Sequence, residues 1–174
     1  MKKIVTLALT ALMLLSCVTS FASFNDVTSD DWAYAEISAM ESLGFIKGDA
    51  NGNFNPSKAL TLSDLKALPN WEGIIARPAA AEAIGENADD KEMTRAEFVS
   101  VIIKAINATS DHKGSSFSDV ADDAWFSSDV ECAKAIGLIN GYEDGTFRAD
   151  NKVSKREAAV VGFRLKNFID MLSK

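Results

Sequence analysis

The chain has 174 residues, 47% of them hydrophobic, with 25 acidic against 18 basic side chains and a formal charge of −7. That is one domain's worth of core, and the acidic balance, with no basic face to release counterions, disfavours a nucleic-acid partner. With 2 cysteines and 1 histidine there is neither a disulfide framework nor a histidine-based catalytic or metal cluster.

The N-terminus reads as a targeting segment. Met1-Lys2-Lys3 is basic, Ile4 to Leu15 is an apolar run too short to span a bilayer comfortably, and Ser20-Phe21-Ala22 offers the small residues a signal peptidase reads. Residues 1–22 are therefore expected to be a secretory signal peptide. The alternative is lipid attachment, because Leu14-Leu15-Ser16-Cys17 resembles a lipobox with Cys17 acylated; Leu15 is an awkward residue there, and ordinary cleavage is the expectation. The mature chain then carries 16 basic and 25 acidic residues, about −9, with no transmembrane span. Cys132 is its remaining cysteine and reads as a small packed side chain rather than a reactive thiol.

After the leader, Phe24-Asn25-Asp26-Val27 leads to Trp32 and then to Ile37, Met40 and Leu43, apolar positions at the spacing of one helix face. Gly44 stands where a helix takes a left-handed residue to stop. Asn51-Gly52 is a turn dipeptide, followed by Phe54. Asp49, Asn51 and Asn53 hint at a calcium loop, but Gly52 is fourth rather than sixth and Leu60, not Glu, is twelfth, so the stretch reads as a turn and no metal is expected. Thr61 with Asp64 three residues later is a capping box, opening a short helix that Pro69 stops.

The next stretch, Asn70 to Ile84, is alanine-rich but broken by Gly73 and Pro78, which predicts two short helices. A second capping box, Thr94-Arg95-Ala96-Glu97, opens a helix with Phe98, Val101, Ile102 and Ala105 on one face. Residues 108–116 are a polar linker in which His112, beside Lys113, reads as solvated. The acid pairs Asp30-Asp31, Asp89-Asp90 and Asp122-Asp123 read as solvated charge and helix N-terminal acids rather than catalytic carboxylates.

The last third repeats the first without a gap, 93 positions on: Phe117 for Phe24, Asp119 for Asp26, Trp125 for Trp32, Gly137 for Gly44, Gly141 for Gly48, Gly145 for Gly52 and Phe147 for Phe54. Val130, Ala133 and Ile136 repeat the apolar face. Ser154 and Glu157 form the third capping box, and the helix it opens, to Met171, is the longest, with Val160, Val161, Leu165, Phe168, Ile169 and Leu172 apolar. The middle capped helix belongs to an eroded copy whose Trp would be Trp71, 23 positions before its cap against 29 in the other two.

In that order, Phe-x-Asp-Val, Trp, Gly-x-Ile-x-Gly, Asp-Gly-Thr-Phe and Thr-Arg-Ala-Glu resemble the S-layer homology (SLH) repeat of bacterial cell-surface proteins. The motifs are strongest in the third unit, good in the first and weak in the front half of the second. The resemblance implies a mainly α fold of three helix-loop-helix repeats in a pseudo-threefold arrangement around a central bundle of capped helices, with short extended segments in the loops. It divides the mature chain into a first repeat at 23–68, a degenerate second at 69–107, the linker 108–116 and a third repeat at 117–174, together one domain. It also implies grooves between repeats that bind an anionic secondary cell-wall polymer, often through a pyruvate ketal, with the Arg of Thr-Arg-Ala-Glu touching the ligand.

The residues themselves allow the same chemistry. Arg95 lies one residue past an N-cap, where free N–H groups and a guanidinium suit a carboxylate or phosphate. Carried over by motif, Arg95 fills the family's Arg position; Lys155 stands there in the third unit with Arg156 one place on, keeping the charge without the bidentate fork; Leu62 stands there in the first and cannot hold an anion. Trp32 and Trp125 sit at the family's Trp position, with packing expected and a sugar contact as the added role. The resulting expectation is a secreted cell-wall or S-layer protein, without catalysis or cofactor, that binds a secondary cell-wall polysaccharide or peptidoglycan-linked polymer. The alternative is a degenerate scaffold that binds an S-layer or other envelope protein. A glycan-modifying enzyme would need an acid pair across a groove, and the sequence offers none.

Overall fold

The computed structural model describes residues 24–67, 90–110 and 115–174. The leader with Cys17, the paired short helices expected over 70–84, Trp71 and His112 lie outside them. The described residues form helices α1 (Tyr34–Ser42), α2 (Leu62–Lys66), α3 (Arg95–Ile106), α4 (Ser127–Ala135) and α5 (Lys155–Leu172). Their only extended pairings are three isolated antiparallel bridges, Ala59 with Ser154, Thr61 with Glu92 and Thr94 with Lys152.

Those bridges close a ring. Leu60 donates its N–H to the Val153 carbonyl at 2.8 Å, Val153 donates to Met93 at 3.1 Å, and Met93 donates to Leu60 at 2.9 Å. Each of the three is the residue before an N-cap, and each side chain is buried. Three helix starts therefore meet head to head around one pseudo-threefold axis, and the backbone N–H groups of the buried residues just before the caps are satisfied there. All three capping boxes form: Thr61, Thr94 and Ser154 accept from the N–H of Asp64, Glu97 and Glu157, and those acids reach back to the cap N–H groups at 3.0, 2.8 and 2.9 Å.

Front and back helices of different units pack on one another, α1 on α5 and α4 on α3. The central element is α3. Its sequence suggests one apolar face, yet Ala96, Val99, Ser100 and Ile103 are buried along with Phe98, Val101, Ile102 and Ala105, so it is enclosed on nearly every side. The longer α5 is not enclosed: Val160, Val161 and Leu165 are buried, but Ile169 and Leu172 are exposed because the helix outruns the domain. Leu43 is likewise exposed while Ile37 and Met40 are buried. Cys132 is buried, which pushes its thiol pKa up, as a packed side chain should be.

The two good copies share their local construction. α1 and α4 each end in a Schellman motif: Gly44 and Gly137 sit at φ +73° and +78°, and the N–H groups of Phe45 and Leu138 reach back to Met40 and Ala133 at 2.9 and 2.8 Å. The aspartate of Phe-x-Asp-Val clamps the turn 28 residues on. Asp26 accepts from the Phe54 and Asn55 N–H groups at 2.8 and 2.7 Å, and Asp119 from those of Phe147 and Arg148, both at 2.7 Å. Asn55 and Arg148 are left-handed at φ 59° and 60°, and this clamp holds them there. The motif phenylalanines stack behind it, Phe24 on Phe54 with centroids 5.1 Å apart and Phe117 beside Phe147 at 5.6 Å.

Candidate functional site

Two of the capped helices, α3 and α5, start against the turn of another unit. The N–H groups of Arg95 and Ala96 donate to the carbonyls of Asn151 and Ala149 at 2.9 and 3.0 Å; those of Lys155 and Arg156 donate to Lys58 and Pro56, both at 2.9 Å. This corrects one expectation. The first helical N–H groups are not free to bind an anion, because neighbouring backbone carbonyls have taken them and the N-cap hydroxyl takes the third. Only side chains are left to present charge.

Groove 1 lies between the start of α3 and the third unit. Its volume is about 230 Å³, and its lining includes Arg95, Arg164, Glu157, Tyr142, Asn140 and Trp32. The Arg95 side chain is only 12% exposed, not a solubilising surface group. Its Nη1 donates to Glu157 Oε1 at 2.7 Å and its Nε to the Phe147 carbonyl at 2.9 Å, while Cζ lies 4.9 Å from the Tyr142 ring centroid and 5.1 Å from that of Phe147. Glu157 also accepts from the Tyr142 hydroxyl at 3.2 Å, and burial pushes the Tyr142 pKa up. Arg164 donates to the Leu138 carbonyl at 3.1 Å from the far wall.

Groove 2 is the same construction between α5 and the first unit, about 300 Å³ and more apolar, with Lys155, Lys47, Asp64, Phe54, Met40 and Leu65 among its lining. Lys155 pairs with Asp64 at 3.1 Å, its Nζ lying 6.0 Å from the Phe54 ring centroid. Burial raises the Asp64 pKa, but the Thr61 N–H and the Lys155 ammonium outweigh it and the net shift is downward. At the third interface Leu62 is buried, as an apolar residue at that position should be, and Glu97 is taken by Lys91 at 2.5 Å instead. Lys91 stands outside the repeat motif, and Asp64 and Glu157 read from the sequence as caps; that each also faces a cation of another unit is set by the tertiary arrangement.

The remaining candidates fall elsewhere. Trp32 and Trp125 are 63% and 61% exposed, so packing is not their main role; Trp32 stands at the rim of groove 1 and Trp125 packs edge-on against Phe126 at 5.3 Å. Arg156 lines neither groove but pairs with Asp31 at 2.8 Å. Asp31, with a side chain 8% exposed, is thus not solvated charge. Asp49 accepts from the N–H groups of Asn51 and Asn53 at 2.9 and 3.0 Å, which is a turn. Among the described residues no group of His, Cys, Asp and Glu could hold a metal, and no helix is long and apolar enough to cross a membrane.

Comparison with known proteins follows the same geometry. The model of the S-layer homology domain matches residues 23–66 and 116–159, half of the chain, with the two matches 93 residues apart. The chain is 25% identical to the Surface-layer 125 kDa protein of Lysinibacillus sphaericus over 90% of its own length and 16% of that protein's. It is 30% identical to Exoglucanase XynX of Acetivibrio thermocellus over 62% of its length and 10% of the enzyme's, and 28% identical to the Cellulosome-anchoring protein of the same species over 49% and 19%. The chain therefore spans less than a fifth of the length of each of these relatives.

Proposed function

The chain belongs to the S-layer homology family, and on that premise we propose that it is an exported cell-envelope protein that holds an anionic secondary cell-wall polysaccharide noncovalently. The observation that carries this reading is a charge reversal. The chain as a whole is at −7, yet groove 1 is lined by Arg95 and Arg164 against Glu157, and groove 2 by Lys155 and Lys47 against Asp64. In each case the one acid is committed to a helix cap, so two cations face the groove with one counter-charge. Aromatic rings line the same grooves, Trp32 and Tyr142 in groove 1 and Phe54 in groove 2, with Tyr142 beside Arg95 and Phe54 beside Lys155, the combination that holds a sugar ring next to an acidic substituent. A pyruvyl carboxylate is the proposed substituent. The relatives named for anchoring and for surface layers support a wall location, in which the chain is secreted after loss of residues 1–22.

The proposed role is binding: hydrolysis of a glycosidic bond uses two carboxyl groups across one groove, and among the described residues each groove is lined by one. The test is cosedimentation of the mature protein with purified cell walls, before and after chemical removal of the secondary polymer. Binding should vanish with the polymer, fall in Arg95→Ala and fall less in Arg95→Lys. Binding indifferent to both the polymer and Arg95 would contradict the proposal. A second reading is favoured by the pairing itself: Arg95 and Lys155 are both already neutralised within the chain. On that reading the repeats are a scaffold for another envelope protein, and pull-down from stripped walls would retain it.

A further inference from the structure

Trp32 is held from behind by a pair of residues that its counterpart lacks. Arg156, at the second position of α5, places Nη2 2.8 Å from Asp31 Oδ2, and its Cζ lies 5.9 Å from the Trp32 ring centroid. Asp31 fixes the local backbone with its other oxygen, which accepts the Ala33 N–H at 2.9 Å. Ala33 is itself fully buried, so the chain on the inner side of Trp32 is anchored. Arg156 is fixed at its own base by its N–H on the Pro56 carbonyl. The pair is poorly served otherwise: Arg156 Nε is buried and has no hydrogen-bond partner, so the ion pair with Asp31 holds the guanidinium in place. Breaking such a pair leaves a half-buried charge without compensation.

Among the described residues none of this repeats around the axis. The residue corresponding to Asp31 is Ala124, and those corresponding to Arg156 are Ala96 and Ser63. The Trp125 indole has an edge contact with Phe126 and, among the described residues, no cation over it. Capping does not require Arg156, since the box is made by Ser154 and Glu157. Besides the Ala33 N–H, the Asp31–Arg156 pair lies beside the Trp32 indole, which is 63% exposed and stands on the rim of groove 1 with Arg95.

We propose that Asp31 and Arg156 are positioning residues: their ion pair across the first and third units sets the Trp32 indole as a fixed platform for the ring of a sugar whose acidic group lies at Arg95. The consequence for groove 1 rests on its reading as a glycan site; the placement of the indole does not. Holding the ring before binding removes the cost of ordering it on binding. Trp125, without a clasp, offers no such platform.

The test has two arms. In the first, Trp32 is left as the single tryptophan by Trp71→Phe and Trp125→Phe, and its time-resolved fluorescence anisotropy is followed without ligand. Asp31→Asn should introduce fast local motion of the indole, Arg156→Lys should introduce less, and a matched protein keeping only Trp125 should not respond. An indole whose motion is unchanged overturns the proposal. In the second arm, wall cosedimentation compares Asp31→Asn in the parent and in a Trp32→Ala background. The expected loss is about fivefold in the parent and little in the background, because residues acting through one group are not additive. Equal losses in both backgrounds overturn the proposal. If Asp31→Asn does not fold, Arg156→Lys carries both arms. A parent protein that fails to sediment with walls defeats the anionic-polymer reading, and the anisotropy arm then decides the clasp by itself.

Discussion

Grooves 1 and 2 are assembled from matching parts 93 residues apart: Phe147 for Phe54, Gly141 for Gly48, Glu157 for Asp64. They differ in what the neighbouring unit inserts. In groove 1 it is Arg95, which spends one nitrogen on Glu157 and another on the Phe147 carbonyl while its flat face covers Tyr142 and Phe147. In groove 2 it is Lys155, a point charge with a single carboxylate partner, Asp64. The difference teaches that the cation of this motif has two tasks, joining units and presenting charge, and that Arg95 joins units through more partners than Lys155 does. At the third interface neither task falls to the same position, since Leu62 is packed into the core and Lys91 serves the capping acid.

The comparison is most severely broken at Gly141. At φ +78° an added Cβ would sit 2.2 Å from Phe117 Cε1, whereas at Gly48 φ is ordinary and the nearest contact is 3.2 Å. Gly141→Ala should therefore destabilise by roughly 3–5 kcal/mol in urea unfolding, combining overpacking with backbone strain, and Gly48→Ala by clearly less. Next come the cations. Arg95→Ala leaves Glu157 without its cation and the Phe147 carbonyl without this donor, uncovers the Tyr142 ring, and should cost about 2–3 kcal/mol in thermal or urea unfolding. Lys155→Ala, which strands one carboxylate, should cost about 1 kcal/mol. Equal losses would remove the distinction between the grooves.

Smaller effects sharpen it. Lys155→Arg gives groove 2 the fork it lacks, and binding of the polymer at that groove should strengthen a fewfold. The capping acids give a pH signature. Asp64 and Glu97 titrate lower in the fold than in the unfolded chain: burial raises both, but hydrogen bonds from Thr61 and Lys155, and from Lys91 and Thr94, more than reverse it. A carboxyl whose folded pKa is depressed contributes stability that is fully present above its unfolded pKa and is lost as pH falls through the folded one. The melting temperature should thus hold above about pH 4 and decline below it. Lys155→Ala should shrink the Asp64 share of that decline and leave the Glu97 share in place.

Much of this architecture is legible in the chain itself. The repeat, the three capping boxes, the Schellman glycines and the aromatic turns are all local, and each follows from residue type and spacing. The inter-unit pairings are less legible. Phe-x-Asp-Val looks like an opening signature, but the work of Asp26 and Asp119 is done 28 residues later, on a turn whose position the sequence does not connect to them. The helix-start N–H groups look available until a neighbouring unit supplies carbonyls. Trp32 and Trp125 read as core because they are large and apolar, yet both are exposed, Trp32 at the rim of groove 1. Asp31 reads as solvent charge because its partner lies 125 positions away.

The most direct measurement is calorimetric titration of purified, pyruvylated wall-polymer fragments into the mature protein, with Arg95→Lys and Lys155→Met beside it. The account predicts two unequal sites, the tighter removed or weakened by Arg95→Lys and the weaker by Lys155→Met. A single site indifferent to Arg95, or no heat of binding at all, would contradict it.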